Sequence, residues 1–552
     1  MNREVSVIAA LVAGLVGCTF VSDFDVHQCS SDLECADLSE PARCTDSRCV
    51  RGCSTNRQCA DFDPRAPLCE SSTGGCVSLT TEGPECFATS GYDERAMGGL
   101  TARDMTFVGA FDSSNTTSTW LSLQLAASEL NGAGGLPHGR GLQPVVVVLC
   151  DANFEPDAMV HLVNQIHVAG IIATLDDAPL RAALAEELDR DVLFLSPNES
   201  NTRPSTLGDS GRRLFYLGAE YADVVDAYDA LLGRFRRAVA ARRPESPVPR
   251  IASIRGPAAE DQALAASVVG LLERNGLDTS GSDLVAGPYR TFELFGESPL
   301  DPSAELRDLV AYNPDLVLFF AGGTYAGAPF GSFDDPRRQR ATVLRTIQAQ
   351  AATTPAFQPI FLLGPRNVDD SAPRRLAFDS PEFSSHALLL QDFHDPDDVL
   401  VASLTDRFKV AYPFAIAPDI GVAPALAAYD ALYALAYAIA AAPSNAEDGS
   451  AVVSGLARVT DPSAESVDVG TGPAGLDAAL AHLAAQAPFH LHGSTGFLDF
   501  DPVQQARPGT RRLSCWNDIG EPSTLAIYDD QRADFVRNAG VCSALGSEVL
   551  GE

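Results

Sequence analysis

Positive charge is scarce in this sequence. Its 552 residues include 39 Lys and Arg against 73 Asp and Glu, which gives a formal net charge of −34. A chain this acidic repels the phosphate backbone of DNA and RNA, so its charge argues against nucleic-acid binding. The charge identifies no ligand, because an acidic surface also keeps a protein soluble and monomeric.

Long apolar runs are also missing. Residues 5–16 are apolar but too few to cross a membrane as a helix. Residues 421–442 are nearly uncharged, but half of them are alanine, which contributes little transfer energy. Tyr429, Tyr433 and Tyr437 recur there at intervals of four residues. The pattern predicts a helix packed inside the protein rather than a membrane span.

The apolar run at the N-terminus is typical of a signal peptide. It follows Arg3 and ends in Leu15-Val16-Gly17-Cys18, which resembles a bacterial lipobox. The resemblance implies cleavage before Cys18, lipid attachment to Cys18 and anchoring to a membrane by the acyl chains. An ordinary signal peptide with a chance cysteine is the alternative. We expect residues 1–18 to be a lipoprotein signal peptide and the protein to lie in the cell envelope outside the cytoplasm, in the periplasm or at the outer membrane or cell surface.

Motifs of enzymes, cofactor sites and metal sites are absent or out of context. There is no P-loop, and Gly132–Gly135 is not a dinucleotide fingerprint. Gly208-Asp-Ser-Gly211 resembles the nucleophile motif of trypsin-like proteases, but it lies in an alternating α/β pattern rather than an all-β barrel. His490 and His492 alternate as strand residues do, and without an acidic or cysteine partner at a useful spacing we interpret them as surface histidines. We therefore predict no catalytic residue, no cofactor and no metal.

Eight of the 13 cysteines crowd into one short segment and form two repeats. The run Cys29-Ser-Ser-Asp-Leu-Glu-Cys35-Ala-Asp recurs as Cys53-Ser-Thr-Asn-Arg-Gln-Cys59-Ala-Asp, and the repeats continue with Cys44 and Cys49, and with Cys69 and Cys76. No Cys-x-x-Cys pair and no histidine occurs here, so disulfides are favoured over zinc in an exported protein. Residues 29–79 are predicted to form a disulfide-rich module whose pairing stays open. We favour a spacer role over partner binding.

Four cysteines remain besides the module and Cys18. Cys515 with Cys542 is the preferred pair, which leaves Cys86 for Cys150, and a crossed pairing is the alternative. We interpret residues 19–28 and 80–100 as linkers.

The rest of the chain alternates between strand and helix patterns. Met105–Phe111 is an apolar strand, a helix follows with Trp120 and Leu130 on one face, and Val145–Leu149 is a β-branched strand. Strand, helix and strand in this order form a βαβ unit, and the rhythm continues beyond residue 360. Ligands bind at the carboxyl ends of such strands, so Ser113 and Ser114 after the first strand are candidate ligand contacts.

The order of several stretches resembles type I periplasmic binding proteins, in particular the branch that binds leucine, isoleucine and valine. The stretches are Ser122–Leu136, Leu195–Ser200, Ala427–Ala431 and Gly493–Asp501. The resemblance implies an α/β fold of two lobes, each a doubly wound parallel sheet, joined by three crossings over residues 101–545. It places about 101–220 and 362–490 in one lobe, and about 221–361 and 491–545 in the other.

The resemblance also implies ligand contacts. They are Thr174, Asp176, Ser196, Glu199 and Ser200 in the first lobe, and Gly322, Tyr325 and Asn367 further along the chain. Residues 174–177 match the loop where the family usually has a serine beside the ligand carboxylate, but this loop reads Thr174-Leu-Asp176-Asp177 and would repel an anion. The family's aromatic and acidic clamp is missing at residues 256–260 and 364–367. Each loop residue has a simpler interpretation as a turn or helix cap.

These patterns together predict a lipid-anchored, extracytoplasmic solute-binding protein. It would capture a small polar solute, amino-acid-like or a related metabolite, by hinge closure and deliver it to an ABC permease. The alternative is a surface receptor without a transport role, in which the cleft senses a ligand or is vestigial and the partner is a surface protein.

Overall fold

A computed structural model was analysed. It describes residues 29–30, 32–35, 42–45, 48–81, 83, 85–112, 117–138, 141–151, 155–175, 177–186, 190–197, 213–219, 221–256, 259–277, 279, 287–293, 303–320, 336–354, 356–364, 380–392, 398–413, 423–443, 448–469, 473–500, 505–507, 511–516, 522–529, 532–537 and 549–550. The chain divides into two compact units, a small one formed by Met1–Leu79 with Asp93–Met105 and a large one formed by Thr80–Tyr92 with Thr106–Glu552.

The small unit is built from short elements. They are β1 (Ala42–Thr45), β2 (Arg48–Arg51), α1 (Asn56–Phe62), β3 (Leu68–Glu70), β4 (Gly75–Val77) and α2 (Glu94–Met97), with 3₁₀ turns at Asp32–Cys35 and Ala102–Asp104. Each cysteine repeat contributes one antiparallel hairpin, β1–β2 or β3–β4. Asn56 is fully buried and connects three elements, because it accepts a hydrogen bond from Cys69 N (2.8 Å) and donates one to Met97 O (3.2 Å).

Disulfides hold the small unit together. In the second repeat Cys53 is joined to Cys69 and Cys59 to Cys76, and in the first repeat Cys35 is joined to Cys49. Their sequence separations of 14 to 17 residues correspond to about 3 kcal/mol of stabilisation for each bond, mainly through the unfolded chain. Two groups of three cysteine sulfurs lie close enough to hold a metal ion, but every member is disulfide-bonded, so no thiolate is available as a ligand.

The described part of the large unit begins with eight strands and three helices. They are β5 (Cys86–Ser90), β6 (Thr106–Asp112), α3 (Ser118–Gly132), β7 (Leu136–His138), β8 (Gly141–Gln143), β9 (Val145–Asp151), α4 (Glu155–Val160, followed by a π-helical turn at His161–Gln165), β10 (Gly170–Ala173), α5 (Asp177–Ala185), β11 (Leu193–Ser196) and β12 (Leu214–Ala219). The next segment contains α6 (Tyr221–Arg242), β13 (Ile251–Arg255), α7 (Ala259–Arg274), β14 (Tyr289–Phe292), α8 (Ser303–Tyr312), β15 (Leu316–Phe320), α9 (Pro336–Thr353), β16 (Ile360–Leu363), α10 (Pro381–Ser384) and β17 (Ala387–Asp392).

The remainder of the large unit completes both sheets. Its elements are α11 (Val399–Ala411), α12 (Ala423–Ala441), α13 (Gly449–Val459), β18 (Ser466–Asp468), α14 (Pro473–Ala484), β19 (His490–Gly493), β20 (Gly496–Phe497), β21 (Ala506–Arg507), β22 (Arg511–Trp516), β23 (Pro522–Asp529) and β24 (Asp534–Arg537). The first sheet has the order β21-β12-β11-β10-β6-β9-β5, and the second β14-β13-β15-β16-β17-β22-β23-β24. We call each sheet with its packed helices the first and the second lobe.

Both lobes repeat one parallel arrangement. If only the parallel strands of each lobe are counted in chain order, the first lies between the second and the third, and the fourth and fifth follow in line. The chain passes between the sheets three times, after β12, after β17 and after β21, so the predicted fold class of two doubly wound sheets with three crossings is confirmed.

The predicted lobe boundaries need correction. β16 pairs in parallel with β15, and β17 with β16, so the chain returns to the first lobe only after Asp392 and not near residue 362. Residues 491–500 and 505–507 belong to the first lobe, where Leu498 joins the apolar core and β21 pairs with β12. The second sheet extends past residue 362 because β16 and then β17 each pair at its free edge. The order of motifs along the chain does not show which strands pair.

The linker predicted at residues 80–100 also needs correction. Cys86–Ser90 forms β5, which pairs antiparallel with β9 and is joined to it by the disulfide Cys86–Cys150, the pairing left for these residues above. Glu94–Met97 forms α2 of the small unit. A strand at a sheet edge needs apolar side chains on one face at most. The polar composition of this segment therefore gave no sign of a strand.

The alanine-rich segment forms α12, a helix at the centre of the first lobe. Tyr429, Tyr433 and Tyr437 are all buried in the same apolar core as Trp120. Among the described residues, none of the helices combines the length and the hydropathy that a membrane span requires.

Candidate ligand site at the carboxyl ends of the strands

In the first lobe, the strand order reverses at β6, and polar residues lie at the carboxyl ends of the strands there. β6 has β9 on one side and β10 on the other, and all three strands are parallel. At such a switch point the loops after the two central strands diverge and leave a crevice, which is where open α/β sheets bind ligands.

Three polar side chains end or follow the strands at this edge. Asp112 ends β6 in register with Asp151 at the end of β9, and Thr174 directly follows β10. Thr174 Oγ1 donates a hydrogen bond to Phe111 O, which fixes the start of its loop. These strand ends therefore carry two carboxylates and one hydroxyl, and the side chains of Asp112 and Thr174 already take part in hydrogen bonds within the protein.

Asp112 is held by the helix that follows it. The hydroxyl of Thr117 donates a hydrogen bond to Asp112 Oδ2. Thr117 is also the N-cap of α3, because its Oγ1 accepts a hydrogen bond from Trp120 N at 3.0 Å. Because the exposed N–H groups of a helix start carry partial positive charge, they stabilise a carboxylate in this position.

Ser196 lies at the same edge, but its side chain is turned away from solvent. It ends β11, one strand beyond β10, and is fully buried. Of the predicted contacts, the structure thus brings Thr174 and Ser196 to neighbouring strand ends. The others, Ser113, Ser114, Asp176, Glu199, Ser200, Gly322, Tyr325 and Asn367, lie outside the described residues, as does Cys18.

The second lobe has an equivalent switch point, and its polar residue was not predicted. Arg255 ends β13, between β14 and β15, and is half-buried. Its Nη2 donates to Thr291 Oγ1 at 3.0 Å and lies 3.5 Å from Tyr289 OH. Ser253 Oγ completes the group of hydroxyls at 2.6 Å from Tyr289 OH and 3.2 Å from Thr291 Oγ1. In the sequence, the only indication of this residue was that an arginine directly follows the strand pattern of residues 251–254.

Asp430 is a buried carboxylate with a structural role. It accepts hydrogen bonds from the backbone N and the hydroxyl of both Ser494 and Thr495, at 2.6 to 3.0 Å. Burial raises the pKa of the Asp430 carboxyl, although these hydrogen bonds and the charge of Arg507 act in the opposite direction. A Cβ added at Gly493 would lie 2.3 Å from Asp430 Oδ2, so only glycine fits there. These contacts connect two of the stretches that carry the family resemblance.

A second buried polar network lies on the first lobe. Glu129 on α3 forms an ion pair with Arg407 on α11 and accepts from Tyr429 OH (2.5 Å) and Tyr433 OH (2.9 Å) on α12. Burial, with the nearby Glu129 charge, raises the pKa of both tyrosines, so their hydroxyls stay protonated and donate. The network joins three helices and lies away from the strand ends.

His490 and His492 differ from the expectation of surface histidines. His490 Nε2 contacts Asp499, and His492 Nδ1 lies 2.9 Å from Asp468. Both rings stack on Phe497, with ring centroids 4.4 and 4.2 Å away. The acidic partners that seemed missing are supplied by the neighbouring strand β18 and the chain after β20. Among the described residues, only cysteines form groups of three or more close enough to hold a metal.

Comparison with known proteins supports the assignment of the fold. No protein-family model matches the sequence, and no curated protein matches it. A leucine-binding protein from Thermotoga maritima superposes with a TM-score of 0.51 at 14% identity, over 78% of this chain and 99% of that one. A branched-chain amino acid transporter substrate-binding protein from Streptococcus pneumoniae, in complex with isoleucine, gives 0.50 at 14% identity, over 79% and 100%. The large unit has the type I periplasmic-binding-protein fold.

Proposed function

We propose that this protein is an extracytoplasmic solute-binding protein that captures a small polar ligand, amino-acid-like or a related metabolite, for an ABC transporter. The observation that carries the proposal is the pair of sheets with one strand order, three crossings between them and polar side chains at the switch point of each. The fold is shared with structures named as binding leucine and isoleucine, which supports an amino-acid-like solute.

The mechanism that follows is hinge closure. A ligand that contacts the strand ends of both lobes binds the closed arrangement more tightly than the open one, so it shifts the population toward the closed state. The three crossings are the segments that would absorb the backbone rotation, as hinges do in other two-lobed binding proteins.

The polar loops at the strand ends supply the contacts in this proposal. Thr174 and Ser196 stand at described strand ends, and Ser200 follows Ser196 by four residues in the sequence. A single lost hydrogen bond to a charged ligand group costs about 1.5–3 kcal/mol, or about 10- to 150-fold in affinity. Ser200→Ala should therefore weaken binding within that range.

Thermal unfolding of residues 19–552 against amino acids, small amides, short peptides and other metabolites tests the proposal. A solute at one hundred times its dissociation constant adds about 2.7 kcal/mol and raises the unfolding midpoint. Ser454→Ala is the matched control, because Ser454 is exposed on α13 and its hydroxyl bonds only Ser450 O. A folded protein that responds to no member of the panel contradicts the proposal.

Membrane anchoring through Cys18 belongs to the same proposal and places the protein at the outside of a membrane. Metabolic labelling with a radioactive fatty acid should mark the wild type and not Cys18→Ser, and only the wild type should sediment with membranes. Labelling of Cys18→Ser to the wild-type level would contradict the anchor.

A surface receptor without a transport role is the second candidate. It is favoured by the disulfide-rich small unit, which forms a compact unit of its own. Uptake of the labelled solute separates the candidates: deletion of the gene abolishes uptake if the protein serves a permease, and leaves uptake unchanged if it is a receptor.

A further inference from the structure

Two of the three crossings leave the first lobe side by side. β12 ends at Ala219 and β21 ends at Arg507, and these two residues are register partners on neighbouring parallel strands. Both chains then enter the second lobe, where α6 follows β12 and packs in the second core, and β22 follows β21 and joins the second sheet. A rotation of one lobe against the other therefore acts on both chains at this point.

The guanidinium of Arg507 joins these two chains. The ladder between β12 and β21 is interrupted by a register shift between Tyr216 and Ala219, so Leu217 and Gly218 stand outside the regular pairing. Arg507 Nε donates a hydrogen bond to Leu217 O, inside this interruption. A β-bulge is a point where a strand bends, and here a side chain bridges the bulge just before both chains leave the lobe.

The same guanidinium reaches a second part of the first lobe. Arg507 Nη1 donates a hydrogen bond to Thr495 O, in the turn between β19 and β20. Thr495 is itself held by Asp430 on α12, whose carboxylate accepts from the Thr495 N–H at 2.7 Å and from its hydroxyl at 2.6 Å. Burial raises the pKa of the Asp430 carboxyl, and the charge of Arg507 is among the interactions that oppose this rise. Arg507 therefore connects the ends of β12 and β21 to the central helix of the lobe.

The backbone that leads to Arg507 is strained. Gln505 has a φ of 54°, in the left-handed region that residues with a side chain rarely adopt. Its side chain is buried, its Nε2 donates to Leu214 O at 2.7 Å, and its carbonyl oxygen accepts from Tyr216 N at 2.8 Å. Such strain persists only where the surrounding structure over-determines the conformation, and it is concentrated in clamps and switch regions.

We propose that Arg507 is a positioning residue for hinge closure. By joining the carboxyl ends of β12 and β21, it makes the two crossings that follow them bend together, beyond Ala219 and Arg507 and not within the first lobe. This inference rests on the proposed hinge closure and names the residue that fixes the position of the pivot. Without the guanidinium, the bulge at Leu217 and Gly218 becomes an additional point of bending, and the unliganded lobes open over a wider range.

Arg507→Met tests the proposal, because methionine keeps much of the apolar stem and removes every N–H donor of the side chain. In small-angle X-ray scattering of unliganded residues 19–552, this variant should have a larger radius of gyration and a broader pair-distance distribution than the wild type. Arg507→Lys keeps the charge and a single donor group, so its radius of gyration should lie between those of the wild type and Arg507→Met.

Arg458→Met is the matched control. Arg458 is half-buried on α13 of the first lobe, and its guanidinium also donates to two backbone carbonyls, those of Ala441 (2.7 Å) and Gln486. The substitution removes the same charge and two hydrogen bonds of the same kind, but neither acceptor belongs to β12 or β21. It should lower the urea midpoint of the first lobe and leave the radius of gyration of the unliganded protein at the wild-type value.

Stability and opening together separate hinge control from a structural role. If Arg507→Met lowers the urea midpoint as Arg458→Met does but keeps the wild-type radius of gyration, Arg507 is a structural arginine and the inference is overturned. An equal increase of the radius in both variants also overturns it, because the cause is then a loosened first lobe. If Arg507→Met does not fold, Arg507→Lys decides in its place, and a radius equal to that of the wild type overturns the inference.

The unliganded measurements need no solute, so they are independent of the thermal screen. A screen without a hit contradicts solute binding, whereas equal radii contradict the role of Arg507. With a saturating solute, Arg507→Met should reach the liganded radius of the wild type but bind more weakly, because less of its unliganded form is closed. A liganded radius that stays larger would place the change inside the first lobe and overturn the inference.

Discussion

Replacing Asp430 by alanine removes the acceptor of four hydrogen bonds in the first lobe. Two of the donors are hydroxyls that can rotate to other acceptors, and Ser494 Oγ already lies 3.5 Å from Leu426 O. The other two are the backbone N–H groups of Ser494 and Thr495, which are buried and have no alternative partner of that kind. Each unsatisfied N–H costs about 1–3 kcal/mol, so we expect Asp430→Ala to lower the free energy of unfolding by about 2–6 kcal/mol.

The two tryptophans of the chain provide a readout for each lobe. Trp120 is buried in the core of the first lobe and Trp516 in that of the second. In urea unfolding followed by fluorescence, Trp516→Phe leaves a signal from the first lobe alone. Asp430→Ala should move that transition to lower urea concentration, since the lost contacts lie in the first lobe.

Two further variants sharpen this test. Asp430→Asn should cost less than alanine, because its remaining carbonyl oxygen still accepts from one of the two N–H groups. Asp406→Ala is the matched control, since Asp406 is exposed on α11, and its stability should stay within about 0.5 kcal/mol of the wild type. An Asp430→Ala midpoint equal to that of Asp406→Ala would refute the reasoning.

Other predictions follow from single contacts. Gly493→Ala should destabilise the protein, because its Cβ would collide with a carboxylate, whereas Gly270→Ala in α7 meets no atom within 4 Å and should stabilise it by about 0.5–1 kcal/mol; urea unfolding measures both. Loss of the disulfide Cys86–Cys150, which spans 64 residues, should cost about 4 kcal/mol in the same assay, and an unchanged midpoint would contradict its contribution. The hydrogen bonds from Arg234 lower the pKa of Asp534. The stability that they contribute is therefore present above the ordinary pKa of aspartate and is lost as the pH falls through the lowered value. When the free energy of unfolding is measured against pH, Arg234→Gln should show a smaller loss of stability on the acid side.

The strongly apolar elements could be predicted from the sequence. The predicted strands Met105–Phe111 and Val145–Leu149 lie in the first sheet, and the packed helix predicted at residues 421–442 is α12. Such segments are buried on both faces or along one full stripe, so composition alone identifies them. β5 and the tail strands β22–β24 were missed, because antiparallel strands near a sheet edge carry mixed polar sequences.

The candidate site was less accessible to prediction. Thr174 and Ser196, which the family resemblance named, lie at the ends of parallel strands, and their contact with a ligand stays a prediction. Arg255 was missed, because its hydroxyl partners Thr291 and Tyr289 are brought to it only by the pairing of β13 with β14. Similarly, Asp499 and Asp468 reach the two histidines only through the pairing of β18, β19 and β20.

Small-angle X-ray scattering of residues 19–552, with and without a saturating solute from the thermal screen, tests the central claim most directly. Capture of a solute between the lobes predicts a smaller radius of gyration with ligand, saturating at the concentration that saturates the thermal shift. Saturable binding with an unchanged radius of gyration would contradict capture by hinge closure.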